Sequence, residues 1–176
     1  MSSPDLSAYI RAVPDFPAPG VLFRDITPLL ASPEAFGYAV RELSDWARGV
    51  RAEAVAGIES RGLILAAPIA LALGVPFVPV RKPGKLPLEA ASVAYELEYG
   101  FGTLEVHRDA FQRGQRVVVV DDLIATGGTA AAAAALVEEL GAQVAGLAFL
   151  IELVDLGGRA RLGGYSFRAL LCYGGR

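Results

Sequence analysis

The sequence predicts an α/β fold: a mainly parallel, twisted sheet with helices packed on both faces. Three observations carry this. Strand-length apolar runs alternate with helix-length segments, and that alternation builds parallel sheets covered on both sides. Gly and Pro punctuate the boundaries. The composition, 53% hydrophobic and 20% charged over 176 residues, supplies the core of one compact domain. No internal repeat or linker divides residues 1–176, so the chain reads as a single domain.

The elements follow in order. Residues 6–13 fit a short amphipathic helix, which Pro14, Pro17, Pro19 and Gly20 bring to an end. Residues 20–26 form a brief apolar segment ending in charge. Ser32 can cap a helix with Pro33 at its first position, running to about residue 48. Residues 54–58 read as a strand, and Ser60 can cap the helix that extends to Leu73. Residues 63–80 are uncharged for about the minimum length of a membrane span. Pro68, Gly74, Pro76 and Pro79 argue instead for a helix, a Gly break and a strand over 75–80.

Residues 81–102 are rich in charge, Gly and Pro and read as a long mobile excursion with a short strand pair. Excursions of that length inside compact domains are usually functional or disordered. Residues 117–120 form the central strand, and 128–140 the Ala-rich helix after it, closed by Gly141. Residues 144–153 and 167–173 complete the strands.

A net charge of −3 with no basic field argues against a broad nucleic-acid or membrane surface. The single cysteine, Cys172, rules out an intramolecular disulfide framework, and a cytoplasmic home is the simplest expectation. Cys172 lies in an apolar stretch and reads as a packed thiol. The N-terminus has no basic segment leading into an apolar one, so no secretory signal is read. His107, the lone histidine, has no Cys or paired acid at metal-ligand spacing and reads as structural or exposed.

The richest segment is 117–130. Four valines lead to Asp121 and Asp122, then to Leu123, Ile124, Ala125, Thr126, Gly127, Gly128 and Thr129, and a helix opens. Ligands of open α/β sheets bind beyond the carboxyl ends of strands. A helix start offers unpaired N–H groups and partial positive charge to an anion, and glycines let the backbone come close. Two adjacent carboxylates repel unless they meet hydroxyls, amides or a metal. No Lys precedes a final Ser or Thr as in a Walker A loop, and the Gly-x-Gly-x-x-Gly spacing is absent. Acids for a sugar beside amides for its phosphate make ribose 5-phosphate the natural ligand fragment.

Residues 117–130 resemble the phosphoribosyl-diphosphate motif of the type I phosphoribosyltransferases. The wider chain resembles the adenine phosphoribosyltransferases. Phe16-Pro17, then Pro19 to Ile26, is similar to their base-site segment; Ser60-Arg61-Gly62, Arg81-Lys82, Gly84 to Pro87, and Leu97-Glu98-Tyr99-Gly100 match further blocks in order. The resemblance implies an N-terminal hood over about residues 1–30, a flexible lid over about 81–105, and a homodimer with residues 81–85 near the partner subunit. It implies purine salvage: transfer of a phosphoribosyl group from its diphosphate to N9 of adenine, giving AMP and diphosphate, with Mg²⁺ carried by the donor and no metal ligand from the chain itself.

The implied site has three parts. Asp121, Asp122, Ala125, Thr126, Gly127, Gly128 and Thr129 hold ribose 5-phosphate. Glu59, Ser60, Arg61, Arg81, Lys82 and Lys85 meet the diphosphate. The only two lysines of the chain fall in this last group, and an Arg fork suits paired phosphate oxygens. Leu22, Phe23, Arg24 and Leu123 form the adenine pocket, with Arg24 acting through its main chain and its side chain pairing with an acid. Glu98, Arg61 and Lys85 are the implied catalytic groups, Glu98 handling a purine proton and Tyr99 packing as the lid closes. Asp25 suits a turn or capping role equally well.

Two other readings remain open at this point. One keeps the donor and changes the base to hypoxanthine, guanine, xanthine or a pyrimidine. The other is a non-catalytic nucleotide sensor of the same fold controlling RNA or DNA, which calls for a basic face or an added segment. The net charge of −3 counts against the sensor.

Overall fold

The computed structural model describes residues 3–96 and 100–174. After a 3-10 turn at Leu6–Tyr9, strand β1 (Arg11–Pro14) pairs antiparallel with β2 (Leu22–Asp25), Val13 opposite Phe23. The amphipathic helix expected over 6–13 is thus one turn followed by a strand. Asp5 accepts hydrogen bonds from the Ser7 amide at 3.0 Å and the Ser7 hydroxyl at 2.7 Å, which closes a single tight turn. Pairing with β2 then satisfies backbone groups that a Pro-terminated helix would leave frayed.

A short helix α1 (Thr27–Ala31) precedes α2 (Pro33–Gly49), whose Ser32 cap accepts from the Ala35 amide at 3.2 Å, as expected. Strand β3 (Ala54–Ile58) is wholly buried. Helix α3 (Arg61–Leu73) follows and stops at Gly74, where φ is +69°. Ser60 holds the cap position of α3 without a side-chain cap bond, because its backbone is already helical (φ −108°, ψ −41°) rather than extended. Strands β4 (Phe77–Val80), β5 (Ala90–Glu96), β6 (Phe101–His107) and β7 (Arg116–Ile124) come next. Helix α4 (Gly128–Glu139), strand β8 (Gln143–Leu153), the short helix α5 (Gly158–Arg161) and β9 (Phe167–Tyr173) complete the chain.

Five strands form one sheet in the order β4-β3-β7-β8-β9, every pair parallel. Alternate strand residues feed two cores. Val55, Val118 and Val120 pack with Ala39, Leu43, Leu65 and Ile69 of α2 and α3 on one face. Ala54, Ala56, Val117 and Val119 pack with Ala133, Leu136 and Val137 of α4 on the other. Helices therefore cover both faces, as the alternation predicted. Among the described residues no helix is long and apolar enough to cross a membrane.

The excursion after β4 holds the expected strand pair as an antiparallel hairpin, Ala90 opposite His107 through Glu96 opposite Phe101, and its Ala91, Leu104 and Val106 join the core beside α4. Cys172 is exposed rather than packed. It lies on the edge strand β9, where an apolar run need not be covered on both sides.

Candidate active site

The sheet order places the site. From β3 the chain crosses to β4 on one side, whereas β7 lies on the other, so the carboxyl ends of β3 and β7 flank a topological switch point. The turn carrying Glu59, Ser60 and Arg61 leaves β3 there, and Asp121 and Asp122 stand there on β7.

Strand β7 runs past the acids to Ile124, because β8 continues beside it, Asp121 opposite Phe149 and Leu123 opposite Ile151. The acids are therefore held in a hydrogen-bonded ladder, not on the loop. Asp122 is buried at 4% exposure, and its carboxylate lies 3.0 Å from the Arg61 guanidinium. Its Oδ2 has no aligned hydrogen bond among the described residues. The Asp122 amide donates to Asp121 Oδ1 at 2.8 Å. Both carboxyls are pushed above the usual carboxylate range, Asp121 well above it. Loss of solvent is the first cause for each. The Asp122 charge adds to it at Asp121, while Arg61 opposes it at Asp122. A site that holds two acids so unfavourably is prepared for hydroxyl donors or a cation.

The loop beyond them lines a cavity of about 190 Å³ with Asp121, Leu123, residues 124–130 and Phe149. Gly127 caps α4 with φ +81° and offers no side chain to its first-turn amides. Those amides lack helical partners and line the cavity, as an anion site requires. Gly158 of α5 supports the loop from behind. A Cβ there would come within 2.9 Å of the Gly127 amide nitrogen, and nearer still to the Ala125 carbonyl. Gly62 plays the same part at the start of α3, where a Cβ would lie 2.7 Å from the Val120 carbonyl and 2.8 Å from Asp121 Oδ1. Gly62 was legible as part of the Ser60-Arg61-Gly62 block; sequence reasoning missed Gly158, whose only signal was a small residue at a turn, which many loops share.

On the β3 side, Glu59 accepts from Arg81 Nε at 2.8 Å and from the Lys82 amide at 2.9 Å, and those contacts hold its carboxyl below the usual range. Glu59 thus ties the first residues after β4 to the turn that carries Arg61. Farther along, the Gly84 amide donates to Glu105 at 3.1 Å, and Lys85 beside it is exposed. Ser60 is exposed as well.

The hood meets this site through Phe23. The Arg61 guanidinium carbon lies 4.9 Å from the Phe23 ring centroid, and Phe16 stands edge-on to the same ring at 5.1 Å. Leu22 is 41% exposed. Arg24 stacks on Tyr173, 4.1 Å from its ring centroid, and among the described residues it forms no ion pair with an acid. Asp25 accepts from the Thr27 amide at 2.9 Å and hydroxyl at 2.8 Å, a turn-closing role. Leu123 borders the loop cavity and packs against the core. Arg61, Asp122 and Phe23 are thus brought together, as are Glu59, Arg81 and Lys82. Glu98 and Tyr99 lie outside the described residues.

An acid pair and a glycine-rich loop stand at the switch point of a parallel sheet, faced by an Arg-bearing turn, the arrangement expected of a phosphoribosyl-binding protein. Residues 31–161 match the model of the phosphoribosyl transferase domain, and the chain belongs to that family. Its relatives are narrower in kind. It is 54% identical over 173 residues to the adenine phosphoribosyltransferase of Desulfitobacterium hafniense (strain Y51), covering 98% of this chain and 100% of that one. The crystal structure of adenine phosphoribosyltransferase from Thermoanaerobacter pseudethanolicus superposes with a TM-score of 0.93 at 50% identity, covering 96% of this chain and 98% of that one. The Saccharomyces cerevisiae enzyme, solved with adenine and an imino-altritol bisphosphate, gives 0.89 at 41% identity, covering 95% and 97%.

Proposed function

We propose that this chain is a purine salvage enzyme that transfers the 5-phosphoribosyl group of phosphoribosyl diphosphate to N9 of adenine, forming AMP and diphosphate. The observation that carries the reading is the acid pair and open amide loop at the end of β7, in a chain whose full-length relatives are adenine phosphoribosyltransferases. N9 attacks C1′, the bond from C1′ to the diphosphate oxygen breaks, diphosphate departs with the electron pair, and the purine gives up one proton.

In this reading Asp121 and Asp122 accept from the ribose hydroxyls, and residues 125–129 wrap the 5′-phosphate. Arg61, Arg81, Lys82 and Lys85 neutralise the diphosphate. Residues 22–24 with Leu123 hold adenine, and Glu98 accepts the purine proton. Mg²⁺ arrives with the donor and supplies charge neutralisation at the leaving group. The ion's ligands would come chiefly from the diphosphate and water. Positioning and charge neutralisation supply most of the rate in such a site. The protein works as a cytoplasmic homodimer, with residues 81–85 near the partner subunit.

The test is a panel of radiolabelled bases with phosphoribosyl diphosphate and Mg²⁺. Adenine forms AMP far faster than hypoxanthine, guanine or xanthine. Absence of product with every base overturns the enzyme reading and favours a sensor; preference for another base overturns the assignment of adenine.

A further inference from the structure

Neighbouring residues of a strand project to opposite faces, and on β2 this separates two tasks. Phe23 turns toward the site, where it meets Arg61 at 4.9 Å and Phe16 at 5.1 Å. Arg24 turns the other way and lays its guanidinium 4.1 Å from the centroid of the Tyr173 ring. Tyr173 is the final residue of β9, held in register opposite Leu153 of β8 and packed against the core that contains Leu6 and Ile26. Among the described residues the hood strands pair with each other and with no strand of the main sheet. Strand pairing therefore does not fix the hood's orientation over the sheet, which is left to side-chain contacts and to the passage of β2 into α1 through buried Ile26. A stacked, half-buried cation on an aromatic face is directional and worth more than the same contact in open water.

We propose that Tyr173 is a positioning residue for purine selection: by clamping the Arg24 side chain it sets the tilt of the peptides at 22–24 that read the adenine edge. Tyr173 touches no substrate; it acts through Arg24. The inference rests on the reading that residues 22–24 hold adenine.

The test compares Tyr173→Leu, Tyr173→Phe and Arg24→Met in the full-length enzyme, measuring KM for adenine and for the donor separately, with thermal midpoints alongside. Tyr173→Leu and Arg24→Met each raise the adenine KM about fivefold or more and leave the donor KM within about twofold. Tyr173→Phe, which keeps the aromatic face, stays within about twofold of wild type for adenine. The Tyr173→Leu, Arg24→Met double variant is no worse than the poorer single one, as for one shared contact. An unchanged adenine KM in Arg24→Met overturns the proposal even if Tyr173→Leu does not fold. Equal rises in both KM values, or a Phe variant as impaired as Leu, reduce Tyr173 to general stability. If wild type forms no AMP, the functional reading fails; if it does and the KM values do not separate, only this inference fails.

Discussion

Arg61 stands between two parts of the site: its guanidinium is 3.0 Å from the buried Asp122 carboxylate and 4.9 Å from the Phe23 ring centroid. One side chain thus joins the acid pair of β7 to the N-terminal strand pair. In the proposed reaction the donor supplies Asp122 with hydroxyl partners and Arg61 with phosphate oxygens, so both groups exchange one partner for another.

Asp122→Asn removes the charge from this pair. Donor KM rises about tenfold or more through loss of a charge-assisted sugar contact, and turnover falls. Steady-state kinetics with varied donor decide it; unchanged values remove Asp122 from the site.

Asp121→Asn acts on stability in the opposite direction from activity. The folded pKa of Asp121 lies well above the ordinary 3.8, so the native form binds more protons than the unfolded form between those values. Its contribution therefore falls as pH rises through that window. Relative to wild type, the ligand-free Asn variant gains stability from about pH 4 upward while losing donor turnover. Urea midpoints across pH measure this; a variant that loses ground as pH rises contradicts it.

Gly158→Ala forces a methyl between α5 and the phosphate loop. The overpacking costs about 1–3 kcal/mol and raises donor KM without a matching change for adenine. Denaturant melts and the two KM values test both halves.

Glu59→Ala frees Arg81 and the Lys82 amide together. Donor KM rises several-fold and adenine KM holds, because the loosened cations face the diphosphate alone. A change confined to adenine KM would contradict this placement of the residues after β4.

Glu98→Leu lowers turnover more than it weakens donor binding. Pre-steady-state AMP formation separates the two effects; a wild-type chemical step leaves Glu98 a bystander.

Much of this was legible from local pattern. The strand at 54–58 is a continuous apolar run ending at a turn, and Ser32-Pro33 announces α2 by chemistry that needs no distant partner. The readings that failed depended on neighbours distant in sequence. Residues 11–14 became a strand because β2 lies opposite them. Strand β7 outran its valines because β8 keeps pace beside it. The strand pair expected within 81–102 runs on to His107, because Ala91, Leu104 and Val106 reach the core. Asp121, Asp122 and the Thr–Gly loop stood out in the sequence because adjacent acids beside glycines at a strand end are costly without a partner. The Arg24 stack on Tyr173 did not, since the two residues meet only after the whole sheet has formed.

The separate pairing of β1 with β2, apart from the five-stranded sheet, has an evolutionary consequence. In the proposed reading the grip on the sugar phosphate is built into a central strand whose alternate residues feed two cores. Most contacts with the base lie on a small ribbon that, among the described residues, pairs with no strand of the main sheet. On that reading base preference can change on the ribbon while the machinery for the shared donor is inherited intact.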